Sequence, residues 1–208
     1  MASGIFTLSA GSIYDSDIAS IAGIQRVKME QRSDAIFQIP LTAWRVWDAL
    51  VTLLPGTSSA DDLGLDSGTY ATTPPSIRTS DLKAAGSTTR RARALLAVPP
   101  DFEGNATTIT LRLYAGMVTT IADTAATVDV EAWRIDRDGT LGAADLVLTG
   151  ATTMNALVAS AKNFVLDTAT LSAGDLLDVR VSILVNDAAT VTAVIAALWA
   201  TELLADLR

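Results

Sequence analysis

The sequence predicts an all-β protein, an antiparallel β-sandwich preceded by an extended N-terminal arm. Apolar and polar residues alternate along Thr127-Val128-Asp129-Val130-Glu131-Ala132-Trp133-Arg134-Ile135 and along Asp178-Val179-Arg180-Val181-Ser182-Ile183. That two-residue period marks strands with one buried face. Half of the residues are hydrophobic but only 5% are aromatic, and small aliphatic and β-branched side chains suit close-packed pleated strands. Turn residues, rather than long helical repeats, separate the apolar stretches, which favours an antiparallel sandwich over a βαβ arrangement.

Residues 1–34 form the arm in this reading, with residues 35–208 as the sandwich domain. In the arm, isolated apolar residues stand among Ser, Gly, Asp and Gln without a lasting period. Ile36-Phe37-Gln38-Ile39 reads as a short strand stopped by Pro40, and Trp44 to Leu54 as one long strand closed by Pro55-Gly56. Short strands at Leu63–Tyr70 and Ser76–Leu82 lie in a loop-rich stretch. Thr88–Val98 ends at Pro99-Pro100, which cannot continue a central ladder. Thr107–Met117 and Thr127–Ile135 follow, the latter leading into the turn Asp136-Arg137-Asp138-Gly139. Asp145–Thr149, Lys162–Leu166, Leu176–Val185 and Thr190–Leu204 complete the strand series, with Thr152–Ser160 as a loop or short helix and a turn at Asn186-Asp187.

Composition narrows the function. Histidine and cysteine are both absent, which removes the commonest general base, the commonest metal ligand and the thiolate nucleophile together. The net charge is −8, so the chain gains little from counterion release on nucleic acid and is repelled by anionic lipid. The longest strongly apolar tract, Ala193–Ala200, is too short to span a bilayer. The N-terminus carries no basic stretch of the kind that opens a secretory signal. The mean hydropathy of +0.36 is high for an isolated soluble chain, which points to apolar surface covered by another subunit.

No cluster makes a convincing reaction centre. Asp136, Asp138 and Asp145 suggest a calcium loop, but Gly139 falls at the fourth position and Val147 at the twelfth, so the ligand pattern fails. Asp61, Asp62 and Asp66 are the densest carboxylates, and adjacent residues on a strand would face opposite ways. Gly-x-Ser-x-Gly, Gly-x-Gly-x-x-Gly and P-loop patterns are all missing. Arg90, Arg91 and Arg93 concentrate positive charge, with Arg91 and Arg93 sharing a face suited to ion pairing or to an acidic neighbour. Trp44 and Trp47 are candidate sugar-stacking residues, facing opposite ways if extended; Trp133 and Trp199 read as core. The expectation is therefore no enzyme, no cofactor, no metal, and no nucleic-acid or membrane partner.

One resemblance adds to this. Leu171-Ser172-Ala173-Gly174-Asp175-Leu176-Leu177-Asp178-Val179-Arg180-Val181 reads as a turn feeding a core strand. With Leu65-Asp66-Ser67-Gly68-Thr69-Tyr70 and Leu111-Arg112-Leu113-Tyr114-Ala115-Gly116-Met117, it resembles tailed-phage capsid decoration (cement) proteins over about residues 60–208. The resemblance implies a jelly-roll-like sandwich and a virion structural protein, made in the host cytoplasm and carried on the capsid surface. It further implies a homotrimer that binds and stabilises the shell of major capsid protein. Ile5, Phe6, Ile13, Tyr14, Ile18 and Ile21 of the arm, with Arg91 and Arg93, would then form the subunit and capsid interface. The alternative is a phage tail or fibre module that binds host carbohydrate.

Overall fold

A computed structural model describes residues 33–102, 104 and 108–207. The expected arm residues Ile5, Phe6, Ile13, Tyr14, Ile18 and Ile21 lie outside the described residues. The fold is all-β: two antiparallel sheets enclose one hydrophobic core in a jelly-roll-like sandwich. The strands are β1 (Ser33–Ile39), β2 (Gly64–Asp66), β3 (Ser76–Arg78), β4 (Gly86–Ala97), β5 (Ile109–Met117), β6 (Ala125–Ile135), β7 (Thr152–Thr153), β8 (Ser160–Leu166), β9 (Leu176–Asp187) and β10 (Ala196–Leu207). Among the described residues the only helix is the single 3-10 turn Leu41–Ala43.

One sheet runs β2-β3-β10-β5-β8, with β1 also pairing with β10; the other runs β4-β9-β6-β7. In the second sheet, Val128, Val130 and Ala132 of β6 and Val179, Val181 and Ile183 of β9 are buried, while their sequence neighbours point outward. The first sheet answers with Ile109, Leu111, Leu113 and Ala115 of β5 and Phe164 and Leu166 of β8. Both inner faces thus realise the alternation that the sequence carries.

Trp44 closes the core at one end. It is only 1% exposed, and its indole N–H donates to the Thr201 hydroxyl at 3.2 Å. Thr201 in turn donates to the Ile39 carbonyl at 2.8 Å. A buried ring with its one polar atom satisfied keeps the full gain of apolar burial, and this relay ties the loop after β1 to β10.

Several boundaries differ from expectation. Trp44–Leu54 is not a strand. The Val46 N–H donates to Thr52 O (3.1 Å), Ala49 to Val46 O (3.3 Å) and Thr52 to Ala49 O (2.7 Å), which folds the segment into a tight loop. Its β-branched Val51 is 96% exposed, so propensity yields to the requirement that Trp44 go in and the chain turn back. Asp145–Thr149 is not a strand; it makes the bridge Val147–Leu166 and backbone bonds such as Leu148 N–H to Val165 O at 2.8 Å. Thr190–Leu204 is strand only from Ala196 onward, and β9 runs through the expected turn at Asn186-Asp187. Asp187 is buried there, its carboxylate accepting the Asp123 N–H (2.8 Å) and the Thr190 hydroxyl (3.3 Å). The turn at Asp136–Gly139 forms as expected, with Gly139 at φ +87°, a conformation that glycine adopts without penalty.

Replacing Trp44 with Ala should destabilise the protein by about 3–5 kcal/mol through lost burial and a residual cavity. Chemical denaturation of the two proteins measures it; a loss below about 1 kcal/mol would show that Trp44 does not close the core.

Candidate functional site

The outward face of the β4-β9-β6-β7 sheet holds the candidate site. Register places Arg93, Arg180 and Glu131 in one cross-strand row, and Leu95, Asp178 and Trp133 in the next. Side chains two residues apart along a strand share a face, so the two rows form one surface. Arg93 grips Asp178 with two bonds, Nε to Oδ1 at 2.6 Å and Nη2 to Oδ2. That fork holds the Arg93 pKa above its ordinary value, against the opposing pull of burial. Arg180 Nη2 pairs with Glu131 Oε2. Four charges are thereby set into two neutral pairs.

The loop from Trp44 to Leu63 lies along the open edge of β4. Arg45 and Arg93 exchange backbone bonds of 2.8 and 3.0 Å, the Arg91 N–H donates to Asp61 O at 2.7 Å, and the Leu63 N–H donates to Arg91 O at 2.8 Å. The loop thus occupies an edge that would otherwise be free to pair with another chain. From it Trp47 reaches over the sheet. Two guanidiniums rise to its ring, Arg91 at 5.4 Å and Arg180 at 5.6 Å from the centroid, within cation–π range.

The carboxylate pair Asp61-Asp62 holds this tryptophan. The Trp47 indole N–H donates to Asp61 Oδ2 at 2.8 Å. Burial raises the Asp62 pKa above 3.8, and the Trp47 backbone N–H, drawn to the same carboxylate, pulls it back. Both acids stand on a tight turn in which the Asp62 N–H donates to Ser59 O at 2.9 Å. Ala60 in that turn has φ +47°, an uncommon conformation for a residue with a Cβ.

Between Trp47 and the sheet opens a groove of about 230 Å³ lined by Trp47, Asp48, Arg93, Glu131, Trp133, Asp178 and Arg180. Trp47 and Trp133 are both half-buried, and Asp48 is exposed. The arrangement offers two aromatic surfaces and several fixed hydrogen-bonding groups. Its floor offers no free nucleophile, because the carboxylates Asp178 and Glu131 are held by arginines.

The sequence candidates are distributed unevenly. Arg91 and Arg93 share the outward face as expected, the first under Trp47 and the second in the groove floor. Trp44 and Trp47 do face opposite ways, although on a loop. Trp133 is not core: it has the same parity on β6 as Asp129 and Glu131, and so lies on the outer face. Trp199 is half-buried at the bulge where the pairing of β10 with β5 shifts between Leu198 and Ala200. Asp66 is separate from Asp61 and Asp62 and pairs with Arg78 at 2.8 Å. Asp136 pairs with Arg134 at 2.7 Å, Asp138 accepts the Thr140 N–H at 2.9 Å, and Asp145 accepts the N–H groups of Ala132 and Val147. Among the described residues no group of three metal-ligating side chains occurs.

A Ser-x-x-Lys spacing occurs at Ser80-Asp81-Leu82-Lys83. That spacing brings serine and lysine together on one helical turn, whereas this segment is irregular backbone. Lys83 Nζ lies 3.2 Å from Asp81 instead. The spacing therefore builds no nucleophile.

No protein-family model matches the chain, and no curated protein matches it. Solved structures overlap it loosely. The CBM22-1 xylan-binding domain from Paenibacillus barcinonensis Xyn10C is 11% identical with a TM-score of 0.42, over 85% of this chain and 98% of that one. A cyclase from Fischerella sp. is 13% identical with a TM-score of 0.43, over 85% and 89%. The family 30 carbohydrate-binding module of a Clostridium thermocellum cellulase is 9% identical with a TM-score of 0.36, over 81% and 96%. Overlaps this loose, spanning binding modules and an enzyme, carry no argument about function.

Asp62 provides a test of the clamp. A carboxyl whose folded pKa is raised stabilises the fold fully below its unfolded value of 3.8 and loses that contribution as pH rises through the folded value. Asp62→Asn should therefore raise the melting temperature at pH 7, and the gain should vanish near pH 3. Thermal unfolding of both proteins across pH 3–7 measures it; an equal gain at both ends would refute burial as the cause.

Proposed function

We propose that the protein is a non-catalytic binding module whose Trp47–Trp133 sheet face holds a saccharide. The observation that carries this reading is the open groove in which two half-exposed indoles flank polar groups fixed by their own ion pairs. Sugar rings present apolar C–H faces and polar rims, so they call for aromatic platforms beside rigid hydrogen-bonding groups. Trp47 is pre-positioned by Asp61, Arg91 and Arg180, so little side-chain freedom is lost on binding. Hydrolysis would need a carboxyl pair across the bond with one member kept protonated. Of the three acids lining the groove, Glu131 and Asp178 are salt-bridged to arginines, which leaves Asp48 without a second free carboxyl and supports binding without catalysis.

A second reading keeps the assembly role, a homotrimeric virion structural protein bound to the major capsid protein shell. The observation in its favour is an apolar cavity of about 380 Å³ lined by Phe37, Ile39, Leu95, Leu96, Val98 and Leu203, among others. Exposed Ile36, Phe37 and Leu95 stand on the strands that border it. Sedimentation over a range of concentrations bears on it: a stable trimer supports this role, and monomers throughout remove it.

The saccharide reading is tested on a polysaccharide and oligosaccharide panel with wild type, Trp47→Ala and Trp133→Ala. Each substitution should weaken binding at least about tenfold, with stability changed little for Trp133→Ala because that side chain lies outside the core. Binding unaffected by both substitutions, or no binding to any glycan, would overturn the reading.

A further inference from the structure

We infer that the saccharide held on this face is uncharged, and that the Asp48 carboxylate selects it by accepting a pair of neighbouring hydroxyls. The inference rests on the saccharide reading and adds the ligand class and the residue that sets it.

Arg93 is committed to Asp178 through two bonds and Arg180 to Glu131. Among the residues lining the groove every guanidinium is paired with a carboxylate, so no uncompensated positive charge is left to meet a uronate, sulfate or phosphate. Such a group would face three carboxylates against two arginines already paired, on a chain of net charge −8. Like-charge approach of that kind is disfavoured, and breaking either arginine pair to serve the ligand would strand a carboxylate beneath Trp47.

Asp48 is the exception to the pairing. It lines the groove, is exposed, and makes no hydrogen bond or ion pair among the described residues. A carboxylate is an acceptor only, with two oxygens able to take two hydroxyl donors at once. Bonds of that charge-assisted kind are shorter and stronger than neutral ones. Vicinal hydroxyls on a neutral sugar ring supply such a donor pair, while the indole of Trp47, the preceding residue, is placed to cover the ring's C–H face. A protonated amino sugar would also approach Asp48, yet its ammonium would meet the remaining groove charges as balanced pairs, so Asp48 alone would hold it.

The experiment measures affinity by calorimetry for three probe classes: neutral xylan, β-glucan and galactomannan fragments; polygalacturonate and heparin fragments; and chitosan oligomers. Wild type, Asp48→Asn and Trp47→Ala are compared at low and at physiological salt. Neutral fragments should bind wild type with little dependence on salt, and Asp48→Asn should weaken them about tenfold. Anionic fragments should bind neither wild type nor Asp48→Asn measurably. Tighter binding of the anionic or the cationic probes, or neutral binding unchanged in Asp48→Asn, overturns the inference. If such charged probes lose their binding in Trp47→Ala, the saccharide reading stands while the ligand class falls. If no probe binds wild type, both fall together.

Discussion

Everything on the grooved face depends on the register of β9. That strand is paired on both edges from Leu176, opposite Ala97 and Ile135, to Asn186, opposite Ser87 and Ala125. Because side chains alternate with a period of two, a one-residue slip would turn Asp178 and Arg180 into the core and Val179 and Val181 into water. Burying unpaired charges costs far more than any contact on the face returns. The apolar inner set therefore fixes the outer one: Val179 and Val181 inside oblige Asp178 and Arg180 to stand outside, in line with Arg93, Glu131 and Trp133.

The loop along β4 turns this patterned face into a groove. It contributes one tryptophan to each side of the sheet edge. Trp44 goes inward, where Thr201 satisfies its N–H. Trp47, three residues later, goes outward over the guanidiniums. The acids that secure Trp47 come from a turn with positive φ at Ala60, and a residue with a Cβ persists there only when its surroundings over-determine it. Here they do: Arg91 takes the Asp61 carbonyl, Asp61 takes the indole N–H, and Ser59 and Asp62 close the turn.

Much of the fold was legible in the sequence, and the reason is parity. β4, β5, β6, β8 and β9 follow from alternating runs bounded by Pro, Gly and Asp, and their observed ends fall within a few residues of expectation. The same parity bears on the site. Trp133 has the spacing of Asp129 and Glu131, which puts it outward, but its apolar neighbours along Thr127–Ile135 made it read as core. What was not legible is where non-local contact overrides local preference. Trp44–Leu54 has the β-branched and aromatic content of a strand, but burying Trp44 against Thr201, far along the chain, forces a loop. Asp61 and Asp62 read only as a dense pair of carboxylates, because nothing in the order of residues says that the indole of Trp47, 14 positions before Asp61, will lie on them.

The ion pairs of the floor bear on how the face can work. A groove floored by free arginines would be an anion trap, and one floored by free carboxylates would swell or protonate as pH changed. Pairing each arginine with an acid on a neighbouring strand cancels the long-range field while leaving each group's unused donors and lone pairs in place. Partly buried pairs of this geometry gain in orientation what they give up in charge, since the fork of Arg93 on Asp178 sets the plane of both groups. On the proposed saccharide reading, such a surface would discriminate by the positions of hydroxyls and the flatness of a ring, with little dependence on ionic strength. On that reading, the placement of hydrogen-bonding groups, with Asp48 as the one unpaired carboxylate among the described residues lining the groove, selects the ligand more than any long-range attraction does.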